Sequence, residues 1–446
     1  MLRVAAGDEF AATAVEVGWL DLGLVAIFCL LLAVAVSFRL NRNIGLLAIS
    51  LAFLVAALGR DPRIDPAQLV TFFPLRLFLT LVGVTLLFSM AELNGTLARL
   101  AQSLIRVSGG SPGLIPILLF SFAAALAAAG PGNIAATVVI APVAMSVAAQ
   151  TGISPFLVTL MVVSGANAGA LSPVAPTGII AAGLVGRLGI PPIPGPIFMS
   201  SLLGNGVAAL FAYLAFGGPH LLAAGRDPRR RARTRAALNH PLPPWERRQL
   251  ATLAAVALLI ILVLGLRWDL GFTALTLAVA LSLVGAADEQ EAVKRQPWYM
   301  ILMLVGVMLL VEVAARTGGL DHAVRALAAI AGPTTVTGIM GFVAGFVSTY
   351  SGSSAVVMPT FIPMIPGLVH ELGVVGAAAL ELQKNLVYTI TVSAHLVDAS
   401  PLSLLGALCL AAAPATEDRT RLFRRLLIWG QLMALGGGAI SFIFFR

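Results

Sequence analysis

An acid and an imidazole lie within a long apolar segment near the C-terminal end of the chain, in the run SAHLVDASP at residues 393–401. A carboxylate is costly to bury at membrane depth, so Asp398 is expected to have a function, either holding a coupling cation or carrying a proton. His395 lies three residues earlier and would share a helical face with Asp398, where it could pair with the acid or, when protonated, contact a carboxylate. A purely structural His395–Asp398 pair that fixes a break in the helix remains an alternative.

An earlier apolar segment is interrupted in the same way, in the run NAGALSPVAPTG at residues 167–178. Two prolines and several glycines break the helix, and irregular backbone at membrane depth is tolerated only inside protein or along a cavity. The polar side chains at this break, Asn167, Ser172 and Thr177, are therefore candidate substrate ligands. Ser400, before Pro401 in the later segment, is the corresponding candidate there.

Two further apolar stretches turn back at polar tips. The first tip reads AGPGNIAAT at residues 129–137, where Gly130 and Pro131 interrupt the helix. Backbone N–H groups at the start of the returning helix favour an anion. The freed carbonyls, including that of Gly130, could hold a hard cation such as sodium together with Asn133 and Thr137, and these two side chains are candidate substrate ligands as well.

The second tip reads STYSGSS at residues 348–354, with six hydroxyl groups in seven residues. Hydroxyl groups at membrane depth are costly unless they are hydrogen-bonded. Ser351, Ser353 and Ser354 are candidate substrate ligands, and Ser351 is also a candidate for the coupling ion. The alternative is that these hydroxyls bond to backbone within the hairpin.

The composition places these segments in a membrane. Of 446 residues, 59% are apolar and only 11% are charged, whereas soluble domains carry about 25% charged residues. The net charge of +8 is concentrated in a basic loop, which predicts a cytoplasmic segment rather than a nucleic-acid partner. Both cysteines fall in apolar segments, so neither a disulfide framework nor a metal site is expected.

Apolar runs long enough to cross a membrane, and the Gly- and Pro-containing breaks within some of them, predict an all-α polytopic membrane protein with two inverted repeats of about five membrane-crossing helices each. The repeats cover residues 18–218 and 250–444, with the basic loop at 219–249 between them. The first contains a re-entrant hairpin (112–149) and a broken helix (155–187), and the second a hairpin (333–368) and a broken helix (374–412). The run LVGV at 81–84 recurs at 304–307, and Ser-Pro recurs at both breaks. Chance similarity between two low-complexity helix bundles is the alternative.

Basic residues predict the orientation. If the loop at 219–249 is cytoplasmic, counting the crossings in both directions places both termini outside. Most of the other basic residues then lie in cytoplasmic loops, but only if each hairpin leaves the membrane on the side from which it entered. Arg295 then lies inside, whereas Arg187 and Arg267 lie outside. Arg76 and Glu92 mark the two ends of one helix and are expected to extend toward the interfaces. We expect a multi-pass protein of the plasma (inner) membrane of a bacterium.

The two broken segments, residues 167–173 and 393–401, resemble those of the MatC-type malonate/dicarboxylate carriers, and the resemblance extends over about residues 20–440. These carriers belong to the ion transporter superfamily, together with the divalent anion/sodium symporters. The resemblance implies an anion-binding architecture, an elevator-type movement and a homodimer. The better-known symporters have Ser-Asn-Thr at each hairpin tip. At the matching positions this chain has Gly-Asn-Ile (132–134) and Thr-Tyr-Ser (349–351), so the first tip keeps its asparagine, Asn133, and the second keeps hydroxyl groups but no asparagine. Asp398 could compensate as a cation ligand or proton carrier.

The sequence thus predicts a secondary transporter, not an enzyme, for a small di- or monocarboxylate coupled to sodium or protons. No tightly bound cofactor is expected, and sodium as coupling ion would bind at Asn133 and Asp398. The expected partners are the carboxylate, membrane lipid and a second copy of the chain. Two alternatives remain: the same architecture transporting another ion, as an oxyanion carrier or sodium/proton exchanger, and a non-transport membrane protein such as a channel or an enzyme.

Overall fold

The computed structural model describes residues 21–40, 42–59, 61–238, 244–351, 354–414 and 416–445, and these residues form helices and turns without a β-strand. The predicted all-α fold is confirmed. The helices of the first half are α1 (Leu22–Leu40), α2 (Ile44–Gly59), α3 (Leu69–Phe72), α4 (Leu75–Leu93), α5 (Thr96–Val107), α6 (Leu114–Ala128), α7 (Gly132–Thr151), α8 (Pro155–Ala170), α9 (Pro176–Arg187) and α10 (Pro194–Ala215). Two short helices follow, α11 (Gly218–Ala224) and α12 (Pro228–Leu238).

The second half repeats this order of elements after the basic loop. Its helices are α13 (Arg247–Ile260), α14 (Leu270–Leu283), α15 (Glu289–Arg295), α16 (Trp298–Arg316), α17 (Gly319–Ala328), α18 (Val336–Ser351), α19 (Ser354–Phe361), α20 (Ile365–Glu371), α21 (Gly376–Leu396), α22 (Leu404–Ala412) and α23 (Arg419–Phe444). In each half a long helix is followed by a turn with a left-handed glycine, Gly95 (φ 76°) or Gly318 (φ 81°), and then by an amphipathic helix. A helical hairpin, a broken helix and a last long helix complete each half.

Several helices are suited to crossing a membrane. In the described ranges, four are long and apolar enough: α4 with the short turns before it, α7, α10 and α23. The pair α16–α17 makes a fifth if its 83° bend is counted within one span. Shorter apolar helices of 10–17 residues include α2, α14, the hairpin arm α6 and the first part of the first broken helix, α8. The number of crossings and the inversion of the repeats stay predictions.

Glycines allow the two halves to pack closely against each other. A Cβ on Gly83 of α4 would lie 2.3 Å from the carbonyl oxygen of Gly271 on α14. A Cβ on Gly306 of α16 would lie 2.1 Å from the carbonyl oxygen of Gly45 on α2. Gly83 and Gly306 are the glycines of the two LVGV runs. The recurring motif therefore marks the same kind of contact in each half, a helix of one half packed on a helix of the other.

The tip of the first hairpin is held between α4 and the break of the first broken helix. Gly130 has φ 138°, and a Cβ there would lie 2.3 Å from the ring of Phe88 on α4. Gly132 has φ 75°, and a Cβ there would lie 3.1 Å from the ring of Pro176 at the start of α9. Both positions need glycine, because other residues rarely adopt these dihedrals and the space is filled. The tip therefore packs directly against α4 and the start of α9.

Candidate functional site

The two breaks have the same local geometry. In the first, Ala175 N–H donates to the Ser172 carbonyl at 3.0 Å, and in the second, Ser403 N–H donates to the Ser400 carbonyl at 3.0 Å. A glycine six residues after each serine, Gly178 or Gly406, approaches that serine so closely that a Cβ would lie 2.0 Å from the serine carbonyl oxygen. The pattern Ser-Pro-x4-Gly is therefore the sequence signature of the break.

The predicted ligands Ser172 and Ser400 have local hydrogen bonds. The hydroxyl of Ser172 accepts from the N–H of Val174 at 3.5 Å, and that of Ser400 accepts from the N–H of Leu402 at 3.3 Å. Ser400 also lies against α23, where a Cβ on Gly430 would lie 2.8 Å from the Ser400 Cβ. In this structure both serines stabilise the turn of their own break.

A chain of buried hydrogen bonds links the first hairpin tip to the second break. The Asn133 amide donates to the Asn167 side-chain oxygen at 2.7 Å. The Asn167 amide donates to the carboxylate of Asp398 at 3.2 Å, and the Ser403 hydroxyl donates to the other carboxylate oxygen at 3.2 Å. All four side chains are buried. We call Asn133, Asn167, Asp398 and Ser403 the polar chain.

Backbone and hydroxyl groups fix the middle of the polar chain. The Asn167 amide also donates to the backbone carbonyl of His395 at 2.7 Å, and the Ser201 hydroxyl of α10 donates to the backbone carbonyl of Asn167 at 3.0 Å. The Nδ1 atom of the His395 ring lies 2.6 Å from the backbone carbonyl of Thr391, one turn earlier in α21. Asn167 thus contacts two of the three predicted polar residues of the second break, His395 through its backbone and Asp398 through its carboxylate.

A cavity of about 210 Å³, which we call the inner cavity, opens beside Asn133. It lies between α4, the start of α7, the start of α9 and the connection from α15 to α16. Its polar lining is Thr85, Ser89, Asn133 and Thr177. At about 30 Å³ per water molecule, the volume is sufficient for about seven water-sized groups, the size of a small dicarboxylate.

Two charged residues, Glu92 and Arg295, also line the inner cavity. Arg295 is half exposed and pairs with Glu291 at 3.1 Å. Neither residue is among the candidate ligands that the sequence predicts, because Arg295 falls in a short basic segment and Glu92 at the end of a helix. Each lies at the predicted cytoplasmic end of its helix. This shared position is the feature of the sequence that could have indicated that the two residues lie close together.

The remaining first-half candidates are distributed around the tip. Thr177 lines the inner cavity directly, and Gly130 packs on Phe88 beside it. Thr137 lies one helical turn after Asn133, is fully buried, and its hydroxyl has no hydrogen-bond partner among the described residues. A buried hydroxyl without a partner is uncommon, and its free oxygen is available to a cation.

The second hairpin tip is only partly described. Ser353 lies outside the described residues, as do the side chains of Ser351 and Ser354. Of the other hydroxyls in that run, Ser348 donates to the carbonyl of Ala394 at 2.8 Å and Thr349 to the carbonyl of Gly345 at 2.9 Å. Thr349 therefore bonds to backbone within the hairpin, as the alternative interpretation predicted, whereas Ser348 bonds to the backbone of α21 in the second broken helix.

The oxygen donors near the polar chain do not resemble a transition-metal site. Within the ranges that the structure describes, no three His, Cys, Asp or Glu side chains are grouped so that they could hold a metal ion. Asn133, Thr137 and Asp398 instead offer amide, hydroxyl and carboxylate oxygens, the donors that hard cations prefer.

Comparisons with known proteins agree with this architecture. Residues 20–170 match the family described as the dicarboxylate carrier protein MatC N-terminus. No curated protein sequence matches the chain. Among solved structures, the YdaH transporter of Alcanivorax borkumensis is similar with a TM-score of 0.56 and 15% identity, over 95% of this chain and 98% of that one. The resemblance to MatC-type carriers is therefore confirmed for residues 20–170, and the whole chain shares its fold with a transporter.

Proposed function

We propose that the protein is a secondary active transporter that carries a small di- or monocarboxylate, of the malonate or four-carbon dicarboxylate type, and couples its movement to sodium or protons. One observation carries the proposal. Asn133 lines the inner cavity and is also the first member of the polar chain that leads through Asn167 to Asp398. A group that contacts a bound anion is thus two hydrogen bonds away from the buried acid.

Helix starts supply the attraction for an anion. The two charged side chains of the inner cavity, Glu92 and Arg295, have opposite charges that offset each other. The starts of α7 and α9 both line the cavity, and each helix N-terminus is equivalent to about half a positive charge. Two helix starts suit a substrate with two carboxylates, with the Asn133 amide and the Thr177 hydroxyl as additional donors.

Coupling is proposed to act through Asp398. The carboxylate is buried at a depth where a charge is costly, and a bound cation or a proton would lower that cost. Either event changes which hydrogen bonds Asp398 accepts from Asn167 and Ser403. Asn167 would then transmit the change to Asn133 and so to the anion site.

We further propose an elevator-type movement. The moving unit would comprise the two hairpins and the two broken helices, which hold the polar chain, and it would slide along α4 at the contact between Gly130 and Phe88.

A homodimer in a bacterial inner membrane, with both termini outside, completes the proposal. Impermeant labelling of an Arg230→Cys variant would check the orientation, because a reactive thiol on the outer face would contradict it.

Uptake into proteoliposomes tests the function. Labelled malonate, malate and succinate are offered with a sodium gradient, with a proton gradient and with neither. We expect accumulation of at least one acid under one of the gradients, and a loss of at least about tenfold in Asn133→Ala, equivalent to about 1.4 kcal/mol. Asn385→Ala is the matched control, since Asn385 is a half-buried asparagine of α21 that does not line the cavity. Normal uptake by a correctly inserted Asn133→Ala variant would place the anion site elsewhere.

A second candidate function is transport of another ion by the same architecture, either sodium/proton exchange or carriage of an inorganic oxyanion. The exchange reading is favoured by the buried carboxylate of Asp398 and by the unpartnered hydroxyl of Thr137. The same proteoliposomes distinguish the two functions: sodium uptake driven by a proton gradient in the absence of any carboxylate would favour the exchanger.

A further inference from the structure

A second, larger cleft opens at the other end of α9. It has a volume of about 930 Å³, and it is lined by the starts of α4 and α14 and by residues of α9 from Ile179 to Arg187. The inner cavity touches α9 only at Pro176 and Thr177. We call this space the outer cleft, because the predicted orientation places its arginines outside. The inner cavity therefore lies at the N-terminal end of α9, and the outer cleft runs along the rest of this short helix and reaches Pro173 in the break.

Arginines dominate the charge of the outer cleft. Its lining includes Arg76, Arg187 and Arg267, with Asp269 as the single carboxylate. Asp269 pairs with Arg76 at 3.3 Å, but the Arg76 side chain is 91% exposed, so solvent screens that pair. Arg187 pairs with Glu312, outside the cleft lining, at 3.3 Å. The three arginines and one aspartate of the lining leave an excess of two positive charges, and Glu312 offsets one of these from outside the lining.

Arg267 is the least neutralised of the three arginines. It forms no ion pair with any residue in the described ranges. Its backbone has φ 57°, the only left-handed conformation of a residue other than glycine in those ranges. Glycine or asparagine would adopt this conformation at lower cost, so the backbone alone gives no reason for an arginine. A strained residue at the edge of a cleft suggests that its side chain has a function there.

We propose that the outer cleft is a second anion-binding site, a vestibule that binds a small dicarboxylate through Arg267 and Arg187 before transport. The proposal deepens the proposed function and rests on it for the identity of the anion. A cleft with an excess of one sign of charge raises the local concentration of the opposite ion and the rate of its capture. An anion of two carboxylates fits a site with two guanidinium groups on different helices or turns.

Two glycines make the outer cleft accessible to a chemical probe. Gly183 and Gly186 line it, and a Cβ at either position would meet no atom within 4 Å. A Gly183→Cys variant therefore places a thiol in the cleft without displacing a neighbour. The native thiols, Cys29 and Cys409, are both buried and contribute little background labelling. Gly195→Cys is the matched control, because Gly195 has the same free space but does not line the cleft.

The experiment compares thiol labelling rates of the full chain in nanodiscs of zwitterionic lipid. Two methanethiosulfonates are used, the anionic sulfonatoethyl and the cationic trimethylammonioethyl reagents. We expect the anionic reagent to be favoured at Gly183→Cys relative to Gly195→Cys. Adding Arg267→Gly, which removes the charge and relieves the backbone strain, should lower the anionic-to-cationic rate ratio about fivefold, the effect of one charge at under about 10 Å in a watery cleft.

Binding is then read from protection. Succinate should slow labelling at Gly183→Cys by about threefold at two-thirds occupancy, relative to sodium chloride of the same ionic strength, and Arg267→Gly should abolish this protection. Absence of protection, protection that persists unchanged in Arg267→Gly, or protection only by added anionic lipid would overturn the proposal. Protection by succinate in a protein that transports no carboxylate would support the vestibule and refute the proposed function, so the two failures are distinguishable.

Discussion

The two broken helices have nearly the same backbone and different chemistry. Both turn at a Ser-Pro pair, both close the turn with a hydrogen bond of 3.0 Å to the serine carbonyl, and both need a glycine six residues after the serine. Five residues before the serine, however, the first break has Asn167 and the second has His395. Two residues before it, the first break has Ala170 and the second has Asp398.

This difference indicates which part of the site is duplicated. Backbone geometry, which exposes N–H and carbonyl groups at the breaks, occurs twice. The acid occurs once, and Asn167 of the first break connects it to the hairpin tip of its own half. We infer that the duplicated part provides the frame for the anion, whereas the unique acid provides the asymmetric step of ion coupling.

The largest effect is expected from removing the unique acid. Asp398→Asn should reduce gradient-driven accumulation of substrate to the level of empty liposomes. Exchange of labelled for unlabelled substrate should survive, because the anion ligands are unchanged. The hydrogen bonds with Asn167 and Ser403 can persist, since an amide accepts through its oxygen and donates to a hydroxyl.

Measuring accumulation and exchange on one preparation separates coupling from folding. Loss of both activities would indicate a misfolded variant, which size-exclusion chromatography would reveal. Unchanged accumulation by Asp398→Asn would show that the acid of the second break does not couple transport to an ion. The coupling ion would then have to bind at Asn133, Thr137 and the second hairpin.

The duplicated geometry predicts two equal losses of stability. Gly178→Ala and Gly406→Ala each place a Cβ 2.0 Å from a backbone oxygen that cannot move without opening the turn. Each should destabilise the protein by about 2 kcal/mol or more, as overpacking against backbone does. Gly183→Ala in α9, where a Cβ meets no atom within 4 Å, is the control and should leave the thermal unfolding temperature in detergent unchanged or raised. If Gly178→Ala and Gly406→Ala lowered the unfolding temperature by clearly different amounts, the backbones of the two breaks would not be equivalent.

The smallest effect should come from the break serines. Ser172→Ala and Ser400→Ala each remove one long hydrogen bond, of 3.5 Å and 3.3 Å, to a nearby N–H group. Weak bonds of this kind contribute about 0.5–1 kcal/mol to stability. We expect a small shift of the unfolding temperature and a change of less than about twofold in substrate KM, equivalent to about 0.4 kcal/mol. A larger rise of KM for either variant would return that serine to the substrate site.

Helix ends were largely predictable from the sequence. Apolar runs at about 75–92 and 298–315 in the sequence predict two membrane spans, and they correspond to α4 (Leu75–Leu93) and α16 (Trp298–Arg316). Pro74 and Pro297 precede these helices, and Asn94-Gly95 and Thr317-Gly318 follow them. The second hairpin was less predictable. The stretch expected at 333–368 divides into α18, α19 and α20, with Pro359, Pro363 and Pro366 along the returning arm.

The candidate site was only partly predictable, because proximity in sequence and proximity in space differ. Asn133 and Asn167 were identified since they lie beside glycines and prolines that break a helix. Arg295 lines the same cavity as Asn133, although more than 150 residues separate them in the chain. Periodicity and composition do not report such a contact. The hydrogen bond from Asn167 to Asp398, which joins the two halves, was beyond reach for the same reason.

The central claim is that Asn167 connects the anion site to the coupling acid, and titration of succinate at different sodium concentrations and pH values tests it most directly. In the wild-type protein, the affinity should rise at least about fivefold with the coupling ion, a coupling of about 1 kcal/mol. In Asn167→Ala, succinate should still bind, but its affinity should no longer depend on sodium or pH, whereas Asn385→Ala should behave as the wild type. An undiminished dependence in Asn167→Ala would contradict the account.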